Sequence, residues 1–365
     1  MKYEILIDEE FREDFYKRID RAQHRIWLQF MTFEGDQAGL SLSERLIAAQ
    51  KRGVDVKVVV DYYTDYFVSD TFYKNKLVRD EVKATQKMFQ RLKEARVTLL
   101  RTRPYGPFLI YFASRNHKKL IIIDNICYLG GINISDHNYS WHDMMVRFED
   151  PEIIKTVVKD YEATLRGERI ILNENSIISN EAIKKKFLTI LRDAQKEIII
   201  SSPYFINWAL IKRAQKQDLK IKFLTVKDNN YSIINFLTRF IFPIYLWLNI
   251  EIYFYNRFSH AKFIIVDQKK VLLGSSNFCL SDLPYPQDIG ICLEDEKFSK
   301  EFYEKLVLNP KIALTPYLRK ISRSTYLLAF IMLSLITIFT YPLLFMYALF
   351  SKLTIKEITK PLKKS

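Results

Sequence analysis

Two histidines and two lysines recur in this chain at matched spacing, and they are the residues best suited to chemistry. The first set lies in Asn116-His117-Lys118-Lys119-Leu120-Ile121-Ile122-Ile123-Asp124, followed by Gly130-Gly131-Ile132-Asn133. The second lies in Ser259-His260-Ala261-Lys262-Phe263-Ile264-Ile265-Val266-Asp267, followed by Gly274-Ser275-Ser276-Asn277. Each copy reads H-x-K-x4-D, a turn, a second apolar run, and a small-residue pair before Asn. His-x-Lys in extended backbone puts both side chains on one face. The runs that follow are too apolar for a half-wet strand, so both are expected to be buried on two faces. A His and a Lys at the mouth of such a strand are costly without a partner or a task. Brought together, His117, His260, Lys119 and Lys262 would make a cationic pocket for one phosphate. One imidazole would attack phosphorus and the other would protonate the leaving oxygen. The ammonium groups and the amides of Asn133 and Asn277 would hold the phosphoryl oxygens as charge develops. One copy alone reads equally well as a basic strand end with a surface His; two copies in the same order do not.

Several further residues flank this set. A nucleophilic imidazole needs an acceptor on its far nitrogen, and Asp143 and Asp288 each precede an apolar run at a similar distance after a motif His. Both are expected to orient histidines. Ser275 or Ser276 offers a hydroxyl to substrate, or else shapes a tight hairpin exit. Asp124 and Asp267 end the motif strands and read locally as turn or ion-pair residues. The turn after Asp124 is one residue shorter than the turn after Asp267, which shifts Asn133 relative to Asn277. His24 reads as surface, His137 as loop, and His142 as a neighbour of a headgroup. The two lysines supply the positive charge that a bound ion would give, and no His or carboxylate cluster has ligand spacing, so no metal and no cofactor are expected.

These residues resemble the phospholipase D superfamily, and within it the cardiolipin synthase branch. The likeness covers most of residues 22–300. The duplicated H-x-K-x4-D motif carries it, with weaker support from Gly130-Gly131-Ile132-Asn133, Trp141-His142-Asp143-Met144-Met145-Val146-Arg147 and Ser202-Pro203-Tyr204-Phe205-Ile206. The resemblance implies an α/β fold of two phospholipase D-like α-β-α sandwich domains related by a pseudo-twofold axis. It places Asp124 and Asp267 with the catalytic motif set. It implies transfer through a phosphohistidine, with His117 as nucleophile and His260 as acid and base, although the symmetry of the residues alone leaves those roles open. The activity expected is phosphatidyl transfer to phosphatidylglycerol. With water as acceptor the same motifs give a hydrolase releasing phosphatidic acid, and serine transfer from CDP-diacylglycerol is a further variant. A nuclease of the same superfamily is a separate alternative. One chain carries both half-sites, so the site is expected to form within one chain.

The elements that must position these groups also repeat. Arg25–Phe33 reads as a buried strand, Leu42–Arg52 as a helix closed by Gly53, and Val54–Asp61 as the next strand, a βαβ pattern. Val78–Arg96 reads as a charged helix with Phe89 and Leu92 inward, Val97–Arg101 as a strand, and Tyr105–Phe112 as an apolar loop or strand. In the second half Glu181–Ala194 is a helix, and Glu197–Ile206, Ala209–Gln217 and Ile221–Val226 match 25–33, 42–52 and 54–61. Ile233–Leu248 matches the 78–96 helix but is far more apolar. His260 follows His117 by 143 residues, a domain-sized period. The expected division is a first domain over 1–150, a helical linker over 151–180 and a second domain over 181–310.

The chain has 365 residues, a formal charge of +14, 48% hydrophobic and 14% aromatic residues, which excludes a disordered chain and points to membrane association. The charge attracts anionic lipid and nucleic acid alike. Cys127, Cys279 and Cys292 lack ligand spacing and read as reduced core thiols. Met1–Asp8 leads at once into charged helix and does not read as a signal peptide. From Ser324 to Ser351 no residue is charged. As a helix at ~1.5 Å per residue this run would exceed a ~30 Å hydrocarbon core, so it fits one tilted span. Basic flanks on both sides (Arg319, Lys320 and Arg323; Lys352 and Lys356 onward) and Pro342 fit a re-entrant hairpin instead, and a buried core helix is the third reading. The aromatic stretch 231–258, with Phe236, Phe240, Phe242, Tyr245 and Trp247 around Arg239, has the composition of an interfacial helix or of a core helix. The partners expected are a phospholipid substrate and an anionic membrane surface rather than nucleic acid. The expected location is a bacterial plasma or inner membrane, with the catalytic part cytoplasmic.

Overall fold

The computed structural model describes residues 1–102, 115–204, 207–216, 218–278 and 287–338. Two mixed β-sheets carry the chain. In the first, the strands run in spatial order Tyr3–Ile7, Met144–Phe148, Ile126–Gly130, Leu120–Ile123, Arg25–Phe30, Asp55–Asp61 and Thr98–Thr102. The second contains the same sequence of strands: Ile177–Ser179, Ile289–Glu294, Lys270–Gly274, Phe263–Val266, Glu197–Ser201, Lys220–Thr225 and Ile250–Tyr255. Asn173–Glu174 and Leu314–Pro316 are added at its two edges. The pairings match as well. Arg25–Phe30 is parallel to Asp55–Asp61 and antiparallel to the motif strand Leu120–Ile123, and Glu197–Ser201 has the same relations to Lys220–Thr225 and Phe263–Val266. The duplication read in the motifs therefore extends to a whole α/β unit.

Local sequence explains the elements. Phe11, Phe15 and Ile19 recur every fourth residue in Glu9–Arg21 and are all buried, giving that charged helix one apolar stripe. In Gln37–Lys51 the side chains of Leu42, Leu46 and Ile47 face inward, and Gly53 takes φ 91 just past the end of the helix. Asp150 caps Pro151–Leu165 by accepting N–H bonds from Glu152 and Ile153, and Pro151 presets the first turn. Both motif strands are buried along their whole length. Each ends in an aspartate with positive φ, Asp124 at 48° and Asp267 at 52°, which turns the chain tightly into the next strand.

The core has three parts. One lies on the outer face of the first sheet, under Glu9–Arg21, Gln37–Lys51 and Arg79–Glu94. Another lies under the equivalent helices of the second half. The third draws on both sheets together with Pro151–Leu165 and Glu296–Leu306, where Trp27, Leu120, Tyr161, Ile265, Phe298 and Phe302 meet. The stretch 151–180, expected as a linker, thus contributes a helix to this shared core, and Ile177–Ser179 is an edge strand of the second sheet. Cys127 and Cys292 are buried and free, while Cys279 and the stretch 105–112 lie outside the described residues.

Among the described residues no helix is long and apolar enough to cross a membrane. The run expected as a membrane segment, 324–351, opens as a helix over 323–338, and 339–351 lie outside the described residues. That helix rests on the second half through Ala329 and Leu333. Tyr326 stacks on Trp247 at 5.2 Å, and Trp208 Nε1 donates to the Thr337 hydroxyl at 3.1 Å.

Candidate active site

The extended segments ahead of the two motif strands meet at the junction of the halves. Asn116 bridges to Gln287 and His142 bridges to Ser259, each a residue of one half paired with a residue of the other. The His117 N–H donates to the Gln287 carbonyl at 2.9 Å, and the His260 N–H donates to the His142 carbonyl at 2.8 Å. Gln287 and His142 immediately precede Asp288 and Asp143. The backbone bridges therefore deliver each aspartate to the histidine of the opposite half. His117 Nδ1 lies 2.9 Å from Asp288 Oδ1, and His260 Nδ1 lies 2.9 Å from Asp143 Oδ2. This leaves each Nε2 for the pocket that both rings line, an open cavity of about 260 Å³.

The electrostatics favour neutral imidazoles beside ionised carboxylates. Burial, then the charge of Lys119, draws His117 down to about 4 against the pull of Asp288. Burial and Lys262 draw His260 down to about 3. Burial alone would raise Asp288, but His117, the Ser275 hydroxyl and Lys119 hold it below the ordinary carboxylate range. Asp143 is likewise held low against burial by His260 and Lys262. In each pair the proton then sits on Nδ1, facing the carboxylate, and Nε2 keeps its lone pair.

Lys119 and Lys262 are fully buried, and each Nζ donates to the carbonyl of its own motif histidine, at 2.8 Å and 2.6 Å. Burial, reinforced by Lys262, pushes Lys119 well below its usual value. An anion in the pocket would relieve that penalty. Asn133 and Asn277 line the pocket with the histidines. Asn133 Oδ1 also accepts the Thr32 N–H at 3.4 Å.

Three residues of the expected set stand elsewhere. Ser275, read as offering a hydroxyl to substrate or as shaping a hairpin exit, is fully buried, and its hydroxyl donates to Asp288 at 2.5 Å. Its counterpart Gly131 packs so closely that a Cβ would collide with the Asp143 carboxylate. Asp124 and Asp267, grouped with the catalytic motif, sit at the far ends of their strands. Asp124 accepts the N–H groups of Gln23, His24 and Arg25, and Asp267 those of Gln195, Lys196 and Glu197. They fasten the motif strand to its neighbour, as the local reading of a turn residue expects. His142, read as a headgroup neighbour, is fully buried with Nδ1 3.0 Å from Asp8. His24 is exposed. His137, read as loop, lines the pocket.

The lining also includes Tyr63, Asp70, Arg115, Trp141, Tyr204 and Tyr231, to which sequence reasoning gave no role in the site. Tyr63 and Tyr231 meet across the halves, hydroxyl to hydroxyl at 3.3 Å, and the Asn230 amide donates to Asp70 at 2.9 Å. Trp141 stands 5.4 Å from the His260 ring. The sequence signal for the tyrosines Tyr63 and Tyr231 is the aromatic richness of 62–73 and 231–258. Beside the pocket, Glu34, Asp36 and Glu81 bring carboxylate oxygens within 4.8 Å of one another, a grouping that no spacing in the sequence shows. Burial holds Glu34 well above the usual carboxylate range.

A family model described as cardiolipin synthase, phospholipase D-like domain, matches residues 15–165 and again 187–307. The chain belongs to this family. Most strands of each sheet fall within one of the two matched stretches. It is 25% identical over 309 residues to a cardiolipin synthase of Geobacillus sp. strain WCH70, an alignment covering 74% of this chain and 58% of that protein. The chain thus spans a little over half the length of that relative. With cardiolipin synthase B of Shigella flexneri it is 23% identical over 333 residues, 82% of this chain and 77% of the relative. The crystal structure of phosphatidylserine synthase from Haemophilus influenzae superposes with a TM-score of 0.67 at 12% identity, covering 86% and 87% of the two chains. At that identity the likeness speaks to the fold.

Proposed function

We propose that this chain is a membrane-associated phosphatidyltransferase resembling cardiolipin synthase, which moves a phosphatidyl group through a phosphohistidine to phosphatidylglycerol. The observation that carries this reading is the pair of imidazoles facing one pocket, each anchored on Nδ1 by a carboxylate of the opposite half. His117 Nε2 attacks the phosphodiester phosphorus and forms a P–N bond. The P–O bond to the leaving alcohol breaks, and that oxygen takes a proton from His260 Nε2. The negative charge of the bound phosphodiester, together with Asp143, lets His260 Nε2 take up a proton from solvent as the substrate binds, and the imidazolium so formed donates it. The acceptor hydroxyl then gives its proton back to His260 and attacks phosphorus, and the P–N bond breaks. Lys119 and Lys262 carry the balancing positive charge, and Asn133 and Asn277 bind the equatorial oxygens. The family's resemblance supports His117 as the nucleophile. Its side chain is also the more exposed of the two rings, at 13% against 6%.

Lipid as substrate is supported by the outer surface of the second half. Helix Ser232–Trp247 exposes Ile233, Phe236 and Trp247, and the 323–338 helix exposes Leu327, Leu328, Ile331, Leu335 and Ile338. Tyr231, at the start of the first of these helices, lines the pocket. We place this face on the bilayer, with the pocket mouth beside it and the catalytic part on the cytoplasmic side. The test is incubation of the detergent-purified chain with phosphatidylglycerol vesicles, with products identified by mass spectrometry. Cardiolipin and free glycerol are expected, and both are absent with His117→Ala and His260→Ala. Phosphatidic acid as the sole product would replace this reading with a hydrolase.

A further inference from the structure

The duplication offers the reacting phosphate two His, two Lys and two Asn, one of each from either half. Arg115 breaks that symmetry. It lies two residues before His117 in extended backbone, so its side chain projects to the same side as the histidine. It lines the pocket, although its side chain is only 5% exposed. The equivalent position before His260 is Phe258, which packs on Trp141 at 4.4 Å. At this position the first half thus brings a guanidinium to the pocket, and the second half an aromatic ring packed on the pocket-lining Trp141.

Arg115 is also fixed in place. Its Nη1 donates to Asp61 at 3.1 Å, and its guanidinium lies 5.9 Å from the centre of the Tyr63 ring. Asp61 is fully buried and in turn accepts the N–H groups of Tyr63 and Asn116 and the hydroxyl of Thr102, at 2.8, 2.9 and 3.0 Å. A guanidinium is a planar fork of five donors, and one edge turned to a carboxylate orients the plane for an anion on another. A cation whose task was to clamp the transferred phosphate would be expected from both halves. A cation brought to this position by one half alone matches a ligand that is charged on one side only.

We propose that Arg115 binds a second phosphate, that of the acceptor, and so directs transfer to alcohols that carry a phosphate a short carbon chain away from the attacking hydroxyl. This rests on the phosphatidyltransferase reading and names its acceptor subsite. The shared chemistry is a hydroxyl and a phosphate on one glycerol unit, present both in phosphatidylglycerol and in soluble glycerol 3-phosphate. Arg115 is a specificity residue in this scheme; it takes no part in making or breaking the P–N bond.

The test is an internal competition, whose product ratio does not depend on how much enzyme is active. Full-length protein in mixed micelles receives phosphatidyl-p-nitrophenol as donor. The competing acceptors are glycerol with glycerol 3-phosphate in one arm, and glycerol with phosphatidylglycerol in the other. Arg115→Lys keeps the charge and loses the fork. The double variant Arg115→Gln with Asp61→Asn removes the buried pair together and avoids a stranded carboxylate. Both variants are expected to lower the ratio of phosphate-bearing to neutral product by about tenfold or more, the scale of one charge-assisted hydrogen bond. A shift in both arms assigns the site to the phosphate itself, and a shift in the lipid arm alone assigns it to the lipid headgroup. Ratios unchanged in both arms, with transfer intact, overturn the proposal and leave the transferase reading standing. Nitrophenol release in the parent protein with no transfer to any alcohol overturns both.

Discussion

At the scale of single residues, the crossed pairing of His117 with Asp288 and His260 with Asp143 gives the two carboxylates separable signatures. Asp288→Asn is expected to unsettle the tautomer of the nucleophile and slow phosphoenzyme formation by about 10²–10⁴-fold. Asp143→Asn acts on the proton donor instead. Its defect should shrink when the leaving group is p-nitrophenol, which departs without a proton, whereas that of Asp288→Asn should persist. Equal defects with both leaving groups in both variants would remove the division of roles. The pH behaviour follows from the neutral histidines. His117 is drawn down to about 4, so with a p-nitrophenyl donor, which needs no proton from His260, kcat/KM should fall as the pH drops through that value and the Nε2 lone pair is lost. The same shift acts on stability. An unfolded histidine titrates at about 6.5, above the folded value, so between these pH values the unfolded chain binds the more protons. Stability should therefore be full above about pH 6.5 and decline as the pH falls toward 4. Thermal melts between pH 7 and 4.5 should show that decline, and a shallower one in His260→Ala; equal slopes would contradict it.

At the scale of elements, the motif strand of the first half is tied to helix Pro151–Leu165 by a pair with no counterpart in the second half, where Ala261 replaces Lys118. Lys118 Nζ donates to both oxygens of Asp160, at 2.8 and 2.7 Å, with both side chains buried. Lys118→Met alone strands a carboxylate and should cost about 3–5 kcal/mol in denaturant unfolding, whereas Lys118→Met with Asp160→Leu should recover most of that loss. An additive double variant would show that the two are not coupled. This pair also marks the limit of what the sequence reveals. Strands and helices were legible because their apolar periods are local: Phe11, Phe15 and Ile19, or the unbroken Leu120–Ile123, name their element within a few residues. The site histidines and lysines were legible because duplication repeats them. Asp143 and Asp288 were legible as carboxylates before a strand, but their owners were not, since the cross-half bridges at Asn116–Gln287 and His142–Ser259 join segments far apart in the chain. What Ser275 and Gly131 touch is the aspartate of their own half, brought against each by strand pairing that the spacing does not show. Arg115 and Tyr63 belong to no repeat, so the motif spacing does not single them out.

At the scale of the whole molecule, the second half differs from the first on its outer face. The helix equivalent to the charged Arg79–Glu94 is the apolar Ser232–Trp247, and the 323–338 helix lies against it. Leu327, Leu328, Ile331, Leu335 and Ile338 fall on one side of that last helix, opposite Ala329 and Leu333, which are buried on the protein. A helix seated on protein along one side and apolar on the other is suited to lie along a bilayer surface. Arg319, Lys320 and Arg323 stand at its start, where anionic headgroups would meet them. Two contributions to binding are then separable. Replacing Leu328, Ile331 and Leu335 by Asp should reduce flotation with phosphatidylglycerol vesicles by more than about tenfold, because each side chain withdraws apolar area worth ~1.5–3 kcal/mol when fully buried. Replacing Arg319, Lys320 and Arg323 by Gln should instead flatten the salt dependence, since each basic residue near an anionic surface contributes about 1 kcal/mol that salt screens. Hydrolysis of a soluble phosphodiester should survive the Asp replacements, as none of these side chains lines the pocket. If vesicle binding survived them as well, the apolar face would not be the bilayer contact.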